Sequence, residues 1–209
     1  MSSAFHELFE RPRAFDTIPL AGRTDTWLLY AALEASGIPR DDSRVSRFPD
    51  VYIGHLQREI LVDPPLGSLK DVLPGVRALL DALSGLSPVH VGLLTGNYER
   101  GARVKLEHFD LWKRFSGGAF GDEEPDRNAL LARALTNIRA AGGPAVSAAH
   151  VVIVGDTPFD VEVARRGGAR SIAVATGRHS VRELREAGAD VAFEDLTDTA
   201  AVLECLALT

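Results

Sequence analysis

Apolar positions along this chain follow two patterns. From Phe5 to about Leu61 they recur at helical spacing in AFHELFE, TDTWLLYAALEASG and RFPDVYIGHLQREILV, which predicts helices joined by loops. In the second of these, Trp27, Leu28, Tyr30, Ala31 and Ile38 make an apolar face, Thr24 or Asp25 caps the start, and Gly37 suits the stop. Asp63-Pro64-Pro65-Leu66-Gly67 then breaks the pattern, so residues 1–64 are expected to form a helical segment and residues 65–209 a separate core. Past the break, short β-branched runs alternate with helical stretches. A helix over PGVRALLDALSG leads to a strand at 90–96, a helix near 98–109 and a short strand near 117–120. The long helix DRNALLARALTNIRAAG leads to a strand at 150–155, a helix at 158–167, the strand RSIAVAT, the helix VRELREAG and a last strand, ADVAFED. This alternation predicts an α/β core, a Rossmann-like parallel sheet with helices on both faces.

Bulk composition narrows the partners. A chain of 209 residues with net charge −6 has no large basic field to hold nucleic acid or anionic lipid. No apolar stretch approaches the roughly 18 residues of a membrane span, and MSSAFHELFERPR lacks the apolar segment of a signal peptide, so a cytoplasmic protein without membrane contact is expected. The single Cys205, in the apolar run LECLAL, is expected to be a buried thiol and not a nucleophile. The six histidines are scattered without ligand spacing, which gives no zinc site. Only Lys70, Lys105 and Lys113 are lysines among 23 basic residues, so few lysines are available for chemistry.

Two strand ends carry polar groups. In HVVIVGDTPFD, residues 150–160, an apolar run ends in Asp156 and Asp160. Ligands of open α/β sheets bind outside the carboxyl ends of strands. Gly155 would allow close backbone approach, and two carboxylates with no basic residue beside them suit Mg²⁺. The same residues also fit a capping box, with Thr157 as N-cap, Pro158 at the first helical position and Asp160 at the third. The two roles are compatible. At 90–97, HVGLLTGN ends in Thr95, Gly96 and Asn97, where a hydroxyl and free N–H groups could hold a phosphoryl oxygen or simply form an Asn-capped turn.

Together, LLTGN and, some 60 residues later, VVIVGDTPFD resemble two motifs of the haloacid dehalogenase-like hydrolases. The likeness extends to AFDTIPLAGRTDTWLLYAALEASGIP, which resembles the helical cap of the phosphoglycolate-phosphatase-like branch, and to the tail ADVAFEDLTD. It implies a phosphatase acting on a small phosphorylated metabolite, with Thr95 on the transferring phosphoryl group, Gly96 and Asn97 beside it, and Asp156 with Asp160 holding Mg²⁺. In GRTD of the cap-like segment, Arg23 is a candidate for a substrate carboxylate, or an exposed residue of a helix-start loop.

Two departures from the family pattern matter. The motif that usually supplies a lysine reads GDEEPDRNALL here, with Glu124 near the lysine position and Arg127 three residues on. Arg127 is the candidate cation, against a solvated arginine in the first turn of a helix; Lys105 and Lys113 lie too early in the chain to be easy replacements. The family's opening strand, ending in DxDx[TV] and bearing the nucleophile, has no counterpart; Asp16 in AFDTIP lacks both a preceding strand and a second Asp two residues on. By the family pattern the absent strand lies mid-sheet, between the strands ending at Thr95 and Asp156. The resemblance therefore implies an aspartyl-phosphate-forming hydrolase that is inactive as this chain stands, shortened at its start. The alternative is a non-catalytic relative binding a phosphorylated ligand or a protein partner. Substrate identity and oligomeric state stay open.

Overall fold

The computed structural model describes residues 1–63, 70–122 and 124–207, and the described residues divide into two units. The first spans Met1–Lys70, Thr95–Trp112 and Phe120–Pro125; the second spans Asp71–Leu94, Lys113–Ala119 and Asp126–Thr209. The segment Pro64–Gly67, where the sequence pattern breaks, lies outside the described residues. The helical segment expected over 1–64 belongs to the first unit, which also takes in the loop and helix that follow Leu94.

In the first unit, α1 (Ser2–Phe9), α2 (Asp25–Ala35) and α3 (Phe48–Glu59) gather around an apolar cluster. Phe5, Phe9, Phe15 and Phe48 meet edge-on or tilted within it. Helix α2 turns a different face inward from the one its sequence suggests. Leu28, Leu29, Ala32 and Leu33 are buried, whereas Trp27, Tyr30 and Ala31 are only partly so. The start of the helix sets this rotation. Thr24 is the N-cap, its hydroxyl oxygen accepting from the Trp27 N–H at 3.1 Å, and Asp25 is drawn inward to the Tyr98 N–H.

The second unit opens with α4 (Val76–Ser84) and β1 (Leu93–Leu94). Helix α5 (Glu99–His108) belongs to the first unit, packing on α3 there, and the chain returns to the second at β2 (Gly118–Ala119). A 3₁₀ turn at Arg127–Ala129 leads into α6 (Leu130–Ala140). Then come β3 (Val152–Gly155), α7 (Pro158–Gly167), β4 (Arg170–Val174), α8 (Val181–Glu186), β5 (Val191–Phe193) and α9 (Thr199–Ala207). Every strand pair is parallel. Both faces of the larger sheet are covered. On β4, Ala173 packs with Val161 of α7 and Leu184 of α8, while its neighbour Val174 points the other way, to Leu79 of α4 and Val202 of α9. Helix α9 was hidden in a tail that reads only as an apolar run. Cys205 on it is half-buried, not sealed in the core as expected, whereas Val202, one turn earlier, is fully buried.

The strands do not form one sheet. They make a pair, β1-β2, and a trio, β3-β4-β5. Among the described residues, β1 and β3 each have a strand on one side only, and Val154 in β3 is 43% exposed. The single sheet expected from the sequence is thus divided, among the described residues, between β1 and β3.

Candidate active site

Asp156 and Asp160 follow β3 and open α7. The capping box forms: the Asp160 carboxylate accepts from the Thr157 N–H at 3.0 Å and from the Thr157 hydroxyl at 2.8 Å. Its other oxygen accepts from Nη2 of Arg127 at 2.6 Å. Asp160 is buried and carries both a cap and an ion pair. Gly155 serves this arrangement. A Cβ there would stand 2.3 Å from the Asp160 Cγ, so the close approach that Gly155 permits is to a side chain of its own loop, and not to a ligand as its place in the motif suggests.

Asp156 is in a different state. Burial pushes its carboxyl above the ordinary range, nearby Asp160 adds to the push, and Arg127 and His179 oppose it more weakly. A Cβ on Gly177 would lie 2.2 Å from the Asp156 Oδ2, so that glycine makes room for the carboxylate, a requirement invisible in the sequence. No cluster of three or more His, Cys, Asp or Glu side chains forms a ready metal site among the described residues. Mg²⁺ does not demand one. It takes one or two carboxylates and completes its shell with water and phosphate oxygens. A carboxylate raised by burial and by a like-charged neighbour fits such an ion, which would relieve both penalties.

The Thr95–Asn97 loop is built within the first unit. Asn97 donates its N–H to the Thr95 hydroxyl oxygen at 3.2 Å, which leaves that hydroxyl's own proton to donate elsewhere. The Gly96 carbonyl accepts from the Asp25 N–H at 2.6 Å, and the Gly121 N–H donates to the Asn97 carbonyl at 2.8 Å. Thr24 and Thr26 tie the start of α2 to the following turn, donating to the carbonyls of Pro125 at 2.9 Å and Gly121 at 2.5 Å. Gly121 has no room for a side chain, since a Cβ would sit 1.9 Å from the Gly96 oxygen.

Two charged residues of this loop's surroundings were not read as site residues. Asp25, considered only as a cap, is 3% exposed and accepts from the Tyr98 N–H at 2.9 Å. Burial raises its carboxyl above the usual range, against that hydrogen bond and the charge of Lys105. Lys105 donates from Nζ to the Asn97 Oδ1 at 2.9 Å, and burial lowers its ammonium from the ordinary lysine range while Asp25 pulls it back up. The available signal was rarity: Lys105 is one of three lysines in an arginine-rich chain.

Arg127 and Arg23 are placed differently from the sequence expectation. Arg127 is neither solvated nor poised as an isolated cation, because its charge is matched by Asp160. Arg23 lies over the Trp27 ring, 4.4 Å from the ring centroid.

Residues 127–199 match the model of a family described as HAD-hydrolase-like. A phosphoglycolate phosphatase of Pseudomonas syringae pv. syringae is 29% identical over 125 residues, 60% of this chain and 44% of the relative. One from Rhodospirillum rubrum is 27% identical over 168 residues, 80% of this chain and 67% of the relative. The alignment to the first of these thus spans less than half of that protein's length. The crystal structure of a predicted phosphoglycolate phosphatase from Haemophilus somnus superposes over 97% of this chain and 88% of its own, with a TM-score of 0.66 at 15% identity, a likeness of fold. Over its matched residues the chain is similar to the haloacid dehalogenase-like hydrolases. Both of these relatives are phosphoglycolate phosphatases.

Proposed function

We propose that these residues carry the phosphate-binding and Mg²⁺-binding parts of a phosphomonoester hydrolase for a small metabolite, without the nucleophile. The observation that carries this reading is the raised Asp156 carboxyl at the carboxyl end of a parallel strand, beside a second carboxylate already fixed in a helix cap. The Thr95 loop, which follows the carboxyl end of β1 and keeps a hydroxyl proton free, supports it. Asp156 would bind Mg²⁺ directly, and Asp160, held by Thr157 and Arg127, would set the charge of the site. A bound Mg²⁺ would supply Lewis-acid neutralisation of phosphate charge. Thr95 would orient a phosphoryl oxygen through its hydroxyl, and the hydrogen-bonded Gly96 and Asn97 peptides would keep that hydroxyl in place.

The 209 residues contain no DxDx[TV] sequence. An aspartate from such a strand would form the aspartyl-phosphate that water then cleaves. The unpaired sides of β1 and β3 and the exposure of Val154 suit one more strand bearing it. The test compares Mg²⁺-dependent hydrolysis of p-nitrophenyl phosphate and phosphoglycolate by this chain and by one extended at Met1 with a strand ending in DxDx[TV]. Turnover is expected only from the extended chain. Robust Mg²⁺-dependent turnover by the 209 residues alone overturns the absence of a nucleophile. An extended chain that melts cooperatively yet stays inert supports the non-catalytic alternative.

A further inference from the structure

We propose that Asp25, at the start of α2, is a positioning residue for the Thr95 hydroxyl, acting through the backbone of the loop that carries it. This rests on the phosphatase reading above.

Both peptide units that meet at Asn97 are fully hydrogen-bonded, and each has one end on Asp25. In the Gly96–Asn97 unit the carbonyl accepts from the Asp25 N–H at 2.6 Å, and the N–H donates to the Thr95 hydroxyl oxygen at 3.2 Å. In the Asn97–Tyr98 unit the N–H donates to the Asp25 Oδ2 at 2.9 Å, and the carbonyl accepts from the Gly121 N–H at 2.8 Å. A trans peptide is planar, so its carbonyl and N–H point in opposite directions. Holding the Gly96 carbonyl on Asp25 therefore aims the Asn97 N–H at Thr95. One hold alone would leave residue 97 free to rotate. The second, from the Asp25 carboxylate to the Tyr98 N–H, removes that freedom, and the Thr95 hydroxyl keeps its oxygen on Asn97 and its proton for a ligand.

Helix capping does not account for this carboxylate. Thr24 already fills that place, its hydroxyl oxygen accepting from the Trp27 N–H. Asp25 is 3% exposed, and a buried carboxylate costs stability unless it is bonded and paired. Burial raises it, and the Tyr98 N–H, the charge of Lys105 and the Asn97 side-chain amide oppose the rise. Lys105 donates to the Asn97 Oδ1 at 2.9 Å, which leaves the nitrogen of that amide for Asp25. The side chain of Asn97 is thus fixed by the same carboxylate as its backbone. These contacts join residues 73 positions apart in sequence, all within the first unit.

The experiment titrates inorganic phosphate, with Mg²⁺ present, into the 209-residue protein and into D25A and L33A, with melting temperature and amide hydrogen exchange measured alongside. L33A opens a cavity in the apolar cluster two turns further along α2 and removes none of the loop's hydrogen bonds, so it lowers stability alone. At matched folded fraction, D25A is expected to bind phosphate about tenfold or more weakly and to exchange faster at the Asn97 amide. L33A is expected to match the parent in both. A purely structural Asp25 would lower the melting temperature of D25A and leave its phosphate affinity per folded molecule at the parent's value, and that result overturns the proposal while leaving the phosphatase reading in place. Equal weakening in L33A overturns it too. If the parent itself binds no phosphate, the phosphatase reading falls and the proposal with it. Should D25A fail to fold, exchange in the parent decides: Asn97 and Tyr98 amides as slow as those of α2 support the hold, and rapid exchange at either overturns it.

Discussion

Arg127 donates to Asp160 at 2.6 Å, and this single contact converts two residues read separately from the sequence, a phosphate-binding arginine and a metal-binding aspartate, into one neutral pair. Asp160 therefore acts first through the helix it caps.

Removing that carboxylate should cost more than losing a cap. Thr157→Ala is expected to destabilise by about 1 kcal/mol, the usual worth of an N-cap. Asp160→Ala breaks the same box and leaves the Arg127 guanidinium largely buried without its anion, so about 3 kcal/mol is expected. Because both changes act on one network, the double variant should melt near Asp160→Ala alone. Urea denaturation of the three proteins measures this, and simple additivity would contradict the shared network.

Asp156 should make stability depend on pH and on Mg²⁺. Its folded pKa lies above the unfolded value, so its contribution favours the fold at low pH, below the ordinary carboxylate range near 4, and is lost as pH rises through the raised value. Solvent screening keeps the effect below about 1 kcal/mol. Asp156→Asn should melt about 1–3 °C above the parent at neutral pH, with the gap closing in acid. Mg²⁺ should raise the parent's melting temperature and leave Asp156→Asn unmoved. Calorimetry across pH, with and without Mg²⁺, checks both, and a pH-independent gap would sink the electrostatic account.

Gly121 should be intolerant of any side chain. A Cβ there falls 1.9 Å from the Gly96 carbonyl oxygen, a backbone atom fixed by the Asp25 N–H, so Gly121→Ala is expected to cost about 1–3 kcal/mol. Gly85 has ordinary helical backbone and its nearest neighbour to a new Cβ at 3.7 Å, so Gly85→Ala should be close to neutral. Equal melting temperatures for the two variants would show that the Gly96 loop can shift.

Much of this fold is legible from periodicity. The parallel strands, the helices between them and the capping box at Thr157-Pro158-Phe159-Asp160 stand where β-branched runs and cap residues put them. The inward face of α2 was misread because Trp27 and Tyr30 look like core residues, whereas arginines cover their rings. Helix α9 was missed because an apolar tail has no turn signals of its own.

By itself, the chain's order of residues determined most of the element sequence, the two polar strand ends and the likeness to a phosphatase-rich superfamily, because local periodicity and short motifs act between near neighbours. Only the tertiary structure decided what each charge does. Arg127 meets Asp160 across 33 positions, and Asp25 reaches the backbone of Tyr98 across 73. Buried charges take their roles from whichever partner shares their low-dielectric surroundings, and that partner is chosen by packing and not by spacing along the chain.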